Sequence, residues 1–181
     1  MTQSNTPKTQ TIVTERLLLR PFKEDDRATF RHLHGDAAMT ARMHRGALDV
    51  SQADELFVDY RAAFAKDGFG MRAITLRDGD DAMIGECGLW YRETAGGYTI
   101  RYMLARSLWG QGLSGEAARA SAAEAFGTLG LKLIHAIAMD GNEHSVRVLK
   151  SLGMVKIEDN HRGITGFGRY LLTPADFRHL G

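Results

Sequence analysis

The sequence is poor in several features whose scarcity excludes whole classes of protein. Its 181 residues include one cysteine, Cys87, and three prolines. A single cysteine cannot form an internal disulfide, so a disulfide-stapled scaffold is excluded and a reducing, cytoplasmic location is expected. No apolar run approaches the roughly 20 residues that a membrane span needs. The polar start, MTQSNTPKTQ, lacks the apolar core of a signal peptide. We therefore predict no membrane partner.

The chain also lacks an excess of positive or of negative charge. The formal net charge is +1, which gives no support to a nucleic-acid-binding surface. Hydrophobic residues make up 44% of the chain and charged residues 25%, ordinary values for a globular protein. With no repeat or linker in 181 residues, we predict a flexible N-terminal arm over residues 1–13 and a single domain over residues 14–181.

The hydrophobic pattern predicts an alternating order of strands and helices. TERLLLRP indicates a first strand, and a charged helix is expected from about Glu24 to His34. A second helix is predicted to begin at a capping box formed by Ser51 and Asp54 and to end at Gly68. MRAITLRD, AMIGECGLWYRE and YTIRYMLARS indicate an antiparallel meander. The rest indicates a helix, the strand LKLIHAIAM, a helix and two strands, so the order is β-α-α-β-β-β-α-β-α-β-β.

The stretch SLWGQGLSGEAARA, residues 107–120, contains the pattern G-x-G-x-x-G at Gly110, Gly112 and Gly115. Glycines before a helix let a phosphate approach free backbone N–H groups, which suits a nucleotide, NAD or coenzyme A. Glu116 and Ala117 follow the last glycine, where a P-loop needs Lys and Ser/Thr, so that alternative fails.

A dinucleotide-binding fold is disfavoured by context. Asp140 closes the next strand, where a ribose-binding acid would stand. However, the strand before the glycines carries Arg101 and Arg106, whereas a central parallel strand is almost wholly apolar. The chain after residue 139 is also too short for the remaining strand–helix units of such a fold.

Five stretches in order resemble the GNAT acetyltransferase superfamily, closest to its Rim-type branch, which includes ribosomal-protein N-terminal acetyltransferases. They are TERLLLRP, GFGMRAI, MIGECGLW, LWGQGLSGEAARA and NEHSVRVLKSLGM. The resemblance covers about residues 14–173. It implies an α/β (α+β) fold with a central mixed twisted sheet of about six to seven strands flanked by about four helices. It also implies acetyl-CoA as cosubstrate and no metal.

The resemblance assigns the cofactor-binding residues. Backbone N–H groups of Gln111, Gly112, Leu113, Ser114 and Gly115 would hold the pyrophosphate, although an ordinary strand-to-helix turn would look the same. Gly115 would be incidental to the dinucleotide pattern, and Ser114 can serve as helix N-cap. Strand N–H groups around Tyr102, Met103 and Leu104 would stabilise the oxyanion. Asn142 would meet the pantetheine arm, or act only as a helix cap.

Two residues are predicted to be catalytic. Ser145 would protonate the departing thiolate of coenzyme A, the alternative being a helix serine that bonds the backbone. Glu86 would accept the amine proton directly or through water, the alternative being a surface residue or ion-pair partner. Lesser candidates for the base are Glu158, His135 and His144.

The remaining expectations concern the groove, the metal and the reaction. Arg72 and Arg101 depart from the branch pattern and are expected in or near the acceptor groove. His32, His34 and His44 are too widely spaced for a metal site.

The implied reaction is acetyl transfer to a primary amine by direct attack in a ternary complex. A protein or peptide α-amino group is favoured and a small-molecule amine is possible. The alternative is an acetyl-CoA-binding sensor without efficient catalysis. The sequence leaves a monomer and a homodimer equally open.

Overall fold

The structure is a computed structural model that describes residues 11–43 and 45–178. Five α-helices lie in these ranges: α1 (Arg27–Gly35), α2 (Ala37–Thr40), α3 (Val50–Asp67), α4 (Leu113–Ala123) and α5 (Glu143–Leu152). A 3-10 turn, Glu24–Asp26, precedes α1, and α4 continues into a π-helical turn, Glu124–Thr128. In this part of the chain, no helix is long and apolar enough to cross a membrane.

The strands form one mixed sheet. They are β1 (Ile12–Val13), β2 (Leu17–Arg20), β3 (Met71–Leu76), β4 (Gly85–Arg92), β5 (Gly97–Leu104), β6 (Ile134–Met139), β7 (Val155–Glu158) and β8 (Phe167–Leu172). Their order across the sheet is β1-β2-β3-β4-β5-β6-β8-β7, and every pair is antiparallel except β5 with β6. The predicted fold class and the antiparallel meander are confirmed.

The sheet has one strand more than the expected six to seven, and the helices number five rather than about four. The extra strand, Ile12–Val13, pairs with Leu18 and Leu19. It lies inside the stretch predicted as a flexible arm, whose residues 1–10 are outside the described residues. The additional helix is α2, where the Asp36 side chain accepts hydrogen bonds from the Ala38 and Met39 N–H groups.

The predicted start of α3 was placed two residues too late. Its N-cap is Asp49, whose carboxylate accepts from the Gln52 N–H at 2.9 Å, while Gln52 Oε1 accepts from the Asp49 N–H at 3.0 Å. This reciprocal pair replaces the expected capping box of Ser51 and Asp54, because Asp accepts such bonds as well as Ser does. Gly68 ends the helix in the left-handed conformation, as predicted.

The parallel contact between β5 and β6 is very short. The two strands pair only at Thr99 and His135, and beyond this point they diverge. On the far side of the opening, β6 continues in register with β8 from Ile134 to Met139. The sheet is therefore split between the second half of β5 and the second half of β6, and polar backbone groups at the two inner edges have no strand partner.

Candidate active site

The glycine loop leads into the N-terminus of α4, which has no side-chain cap. Gly110 and Gly112 have φ values of 79° and 77°, which are left-handed conformations that favour glycine. Gly112 is the N-cap of α4, and no side chain caps this end of the helix. The first N–H groups of α4, from Leu113, Ser114 and Gly115, are thus left for an anion, which the helix dipole also favours.

Two sequence expectations for this loop have different outcomes. Ser114 does not act as N-cap, because Gly112 occupies that position and Ser114 is a buried residue of the first helical turn. Gly115 lies in the helix without a left-handed φ, and no atom lies within 4 Å of a methyl group placed on it. Its glycine character is therefore not needed by the turn, as expected.

Arg16, in the turn between β1 and β2, holds the glycine loop by direct hydrogen bonds. Its Nη1 donates to the Gln111 carbonyl at 2.9 Å, and its Nε donates to Glu116 at 2.7 Å. The same carboxylate accepts from the Thr14 hydroxyl at 2.6 Å and from the Arg16 N–H at 2.8 Å. Burial opposes ionisation of Glu116, but these three donors outweigh it, so its pKa is lowered. The turn after β1 thus holds the start of α4 in place.

The split in the sheet exposes alternate backbone groups of β5. The Ala105 N–H donates to the Ile84 carbonyl on the β4 side, at 2.9 Å. Because antiparallel pairing alternates along a strand, Met103 also turns its N–H and carbonyl towards β4, where it lies opposite Glu86. The amides of Tyr102 and Leu104 then point into the split. The expectation that the Met103 amide meets the cofactor is corrected on this ground.

The start of α5 closes the other side of the split. The Asn142 side chain caps the helix, with Oδ1 accepting from the Ser145 N–H at 3.3 Å. The Tyr102 hydroxyl reaches across and donates to the Ser145 carbonyl at 3.1 Å. Burial raises the pKa of Tyr102, so its hydroxyl remains protonated. Asn142, Ser145 and Tyr102 therefore form one hydrogen-bonded group across the opening.

A cavity of about 570 Å³ runs through the opening, and we call it the main cavity. Tyr102, Asn142 and Ser145 line it at the split, and Trp90 and Arg101 line it towards α3. Its volume lies within the usual range of small-molecule sites. A second cavity of about 520 Å³, the side cavity, adjoins it and shares Arg45, Trp90, Arg92 and Arg101 as lining residues. Arg101 therefore lies where the acceptor groove was expected.

Glu86 is buried beside the main cavity and does not line it. Its side chain is 2% exposed, and Oε2 lies 3.2 Å from Nε2 of His34, which is also buried. The charge of Glu86 also favours ionisation of Arg101, whose pKa is raised by Tyr60 and Glu86 against the effect of burial. Glu86 would need a water or a side chain to reach a substrate.

His161, which sequence reasoning missed, does line the main cavity. It lies in the 3-10 turn His161–Gly163 between β7 and β8 and is 5% exposed. Its Nδ1 bonds Glu158 Oε2 at 3.0 Å, and Nε2 is buried with no hydrogen-bond partner among the described residues. Glu158 accepts further from the Arg162 N–H at 3.3 Å, and the hydrogen bond from His161 is the main cause of its lowered pKa. Only the spacing of Glu158 and His161 along the chain hinted at this pair.

The other candidate side chains lie away from the opening. Arg72 is fully buried and pairs with both oxygens of Glu124 at 2.7 Å, so it joins β3 to the π-helical turn and is not in the groove. His135 precedes the split, and burial lowers its pKa. Cys87 is buried, which raises the pKa of its thiol to about 12. His144 lies exposed on the first turn of α5.

The sequence predicted that His32, His34 and His44 do not form a metal site. His32 and His34 lie on α1, and His44 is outside the described residues. Within residues 11–43 and 45–178, no three His, Cys, Asp or Glu side chains form a group that could hold a metal ion.

A sheet that splits beside a helix N-terminus without a side-chain cap, with a cavity through the opening, is an arrangement that suits a transferase with an anionic, extended cosubstrate. Comparison with known families agrees. The chain belongs to the GNAT acetyltransferases, because the Acetyltransferase (GNAT) domain family matches residues 16–155. It is 30% identical over 149 residues to the "Uncharacterized N-acetyltransferase p20" of Bacillus licheniformis, covering 81% of this chain and 83% of that protein. The protein is therefore an acetyltransferase of a family that uses acetyl-CoA.

Solved structures share the fold at low identity. An acetyltransferase from Agrobacterium tumefaciens has a TM-score of 0.80 at 24% identity and covers 90% of this chain and 93% of that one. A spermidine N-acetyltransferase from Vibrio cholerae, solved with CoA and spermine, has a TM-score of 0.71 at 16% identity, covering 90% and 98%. A ribosomal-protein-S5-alanine acetyltransferase from Vibrio fischeri also has 0.71 at 16%, covering 93% and 99%.

Proposed function

We propose that this protein transfers the acetyl group of acetyl-CoA to a primary amine by direct attack in a ternary complex. The observation that carries the proposal is the main cavity, in which the opening between β5 and β6 meets Asn142 and Ser145 at the start of α5. Acetyl-CoA would lie with its pyrophosphate on residues 111–115 and its pantetheine arm against Asn142. A covalent acetyl-cysteine route has no support, because the only cysteine is buried with a raised thiol pKa.

The split in the sheet supplies donors for the transition state. Attack by the amine creates a tetrahedral oxyanion, which fixed N–H groups stabilise without reorganisation. The amides of Tyr102 and Leu104, turned away from β4, fit this role. Ser145 is the proposed donor to the leaving thiolate. Its backbone N–H and carbonyl are engaged by Asn142 and Tyr102, while no bond from its hydroxyl to a described residue is present.

Two groups compete for the amine proton. Glu86 is the candidate that the sequence indicates, and its burial against His34 supports a route through water. His161 is the candidate that the cavity adds. Glu158 holds its Nδ1–H, which leaves Nε2 as the basic nitrogen of the neutral ring. We assign the role of base to His161, with Glu86 as the rival, because the His161 side chain lines the main cavity and Glu86 does not. Nε2 of His161 is itself buried, so it would reach the amine through a water or after a small movement of the ring.

The favoured acceptor is the α-amino group of a protein or peptide. Its ordinary pKa of about 8, against about 10.4 for lysine, leaves more neutral amine near pH 7. Structural neighbours act on both classes, since one is named for a ribosomal-protein alanine and another for spermidine. A cytoplasmic location and a monomeric or homodimeric state stay predictions.

The decisive experiment measures acetyl-CoA turnover on three kinds of acceptor: peptides with a free N-terminus, the same peptides with a blocked N-terminus and one internal lysine, and spermidine. Mass spectrometry of the products identifies the acetylated nitrogen. We expect modification of the free α-amino group. Binding of acetyl-CoA without turnover of any amine would contradict the proposal, and consistent lysine or hydroxyl acetylation would contradict its preferred acceptor.

A further inference from the structure

Five arginines line the main cavity, and they come from four separate parts of the chain. Arg42 and Arg45 follow α2, Arg92 ends β4, Arg101 lies within β5, and Arg162 lies between β7 and β8. The only carboxylate-bearing residue on the same wall is Glu93. The fold therefore brings several positive charges together around one opening.

None of these five arginines forms an ion pair with another residue in the part of the chain that the structure describes. Several arginines elsewhere do pair with carboxylates, as in the pairs of Arg20 with Asp26 at 2.7 Å, Arg72 with Glu124 at 2.7 Å and Arg16 with Glu116 at 2.7 Å. Others outside the cavity have no ion pair among the described residues, so it is the grouping of the five around one opening that distinguishes them. Glu55 and Asp59 line the side cavity, and no ion pair joins them to its arginines.

The positive charges at the cavity oppose one another. The pKa of Arg92 is lowered mainly by burial and then by the charges of Arg101 and Arg45. Arg101 is partly balanced by Glu86 behind the wall, while its guanidinium donates to the Tyr60 hydroxyl. Arg92 and Arg101 are half-buried, whereas Arg42, Arg45 and Arg162 are exposed. Cations that repel one another are stabilised when an anion enters between them, and a guanidinium binds the planar carboxylate through two parallel hydrogen bonds.

The pyrophosphate of acetyl-CoA does not account for this charge. Residues 111–115 hold the proposed pyrophosphate site, and none of them lines the main cavity. Asn142 and Ser145 do line it, so the reacting centre and the arginines share one cavity of about 570 Å³. A molecule that fills it would place its amine and its negative charge within this one cavity.

We infer that the acceptor is an anionic amine, held by a carboxylate that the arginines of the main cavity bind. The inference rests on the proposed amine acetylation and narrows its substrate class to peptides or small amines with an acidic group close to the reacting nitrogen. The same arginines disfavour a polyamine, because a second cation would face several positive charges.

The test compares peptides that differ only in charge. One begins Ala-Glu-Glu, the matched one begins Ala-Gln-Gln, and a third begins Ala-phosphoserine to distinguish phosphate from carboxylate; spermidine is the cationic amine. We expect kcat/KM for the Glu peptide to exceed that of the Gln peptide by about 10-fold or more at low salt. The ratio should fall as KCl is raised, since surface charges are screened.

Substitutions in the cavity identify the groups responsible. Arg45→Gln and Arg92→Gln should each raise KM for the Glu peptide several-fold and change KM for the Gln peptide little. Lys132→Gln removes the same charge before β6, outside the lining of both cavities, and should leave the Glu/Gln ratio at the wild-type value. Acetyl-CoA affinity, measured by calorimetry, confirms that each variant is folded.

Three outcomes overturn the inference. Equal kcat/KM for the Glu and Gln peptides, or a preference for spermidine, contradicts it while amine acetylation stands. A Glu preference that both arginine variants retain contradicts the assignment to this cavity. No turnover of any amine by protein that binds acetyl-CoA contradicts the proposed function itself, and this inference with it. A greater preference for phosphoserine than for Glu identifies phosphate as the bound group.

Discussion

Each residue at the opening contacts a different partner, so each can be tested for a separate step of the proposed reaction. Asn142 uses its side chain as a helix cap, Tyr102 bonds a carbonyl, and Ser145 keeps a hydroxyl without a partner among the described residues. His161 and Glu86 are both held by a second ionisable group, Glu158 and His34 respectively. Substitutions that keep the approximate shape of a side chain but remove its ability to accept or donate a proton can therefore identify the role of each residue.

The base is identified by comparing His161→Asn with Glu86→Gln. We expect His161→Asn to lower kcat/KM by about 10²–10⁴, the usual contribution of general acid–base catalysis. The loss should persist at saturating substrate, and the acid limb of the pH–rate profile should disappear. Glu86→Gln should retain that limb. If Glu86→Gln removes the limb and His161→Asn retains it, Glu86 is the base.

The proton donor to the thiolate is identified by Ser145→Ala and Tyr102→Phe. We expect Ser145→Ala to lower kcat by roughly 10-fold, a modest effect because a thiol of pKa about 8.5 is already a fair leaving group. The backbone bonds of Ser145 survive the change, so acetyl-CoA affinity should stay near the wild-type value. A larger loss of kcat in Tyr102→Phe than in Ser145→Ala would give the donor role to Tyr102.

At the scale of elements, the start of α4 is where we propose that the cofactor pyrophosphate binds. Gly112 and Gly68 have almost the same conformation, φ 77° with ψ −1° and φ 77° with ψ 0°. Valine at either position meets the same backbone strain. Gly112→Val should nevertheless weaken acetyl-CoA binding at least 10-fold in calorimetry, while Gly68→Val keeps wild-type affinity. Equal affinities in the two variants would show that residues 111–115 do not hold the pyrophosphate.

The carboxylate of Glu116 joins the turn after β1 to α4, and this bond should depend on pH. Its folded-state pKa is below the unfolded value of about 4.3. The stability it contributes is therefore complete above the unfolded pKa and is lost as pH falls through the folded one. Glu116→Gln should lower the free energy of unfolding by about 1 kcal/mol at pH 7.

Urea unfolding at several pH values checks this expectation. The difference between wild type and Glu116→Gln should shrink between about pH 5 and pH 3 as the carboxylate becomes protonated. Glu143→Gln is the matched control, since Glu143 lies in the first turn of α5 and is exposed. A difference that stays constant down to pH 3 would mean that the carboxylate charge does not stabilise this junction.

The element order could be predicted because turn residues and hydrophobic periods mark it. Gly68 and Asn142 end and begin helices where the sequence indicated. Details set by tertiary contacts could not be predicted. Nothing in the sequence near Ile12–Val13 showed that these two residues would add a strand to the sheet. Likewise, nothing near Glu86 showed that its side chain would face His34, fifty-two positions away.

At the scale of the whole molecule, a nearly neutral chain conceals an uneven distribution of charge. The formal net charge of +1 gave no support to a nucleic-acid-binding surface, and it said nothing about the arginines of the main cavity. These residues lie between positions 42 and 162 and meet only because β4, β5 and the segments after α2 and β7 converge on the opening. The proposed cofactor residues, 111–115, are contiguous, which is why the sequence could indicate them.

Ligand-induced stabilisation of the whole domain distinguishes acetyl-CoA from other pyrophosphates. A ligand at 100 times its Kd stabilises the folded state by about 2.7 kcal/mol. For a chain of this size, that corresponds to a rise in Tm of roughly 5–10 °C in a thermal melt. NAD at the same concentration also carries a pyrophosphate, but it should leave Tm unchanged, because a mixed sheet split between β5 and β6 lacks the nicotinamide crevice of a dinucleotide fold. The Gly112→Val variant should lose the shift with acetyl-CoA, since it removes the close approach to the helix N-terminus. Equal shifts with NAD and acetyl-CoA would instead indicate a site that recognises pyrophosphate alone, and the pantetheine contact proposed for Asn142 would then be wrong.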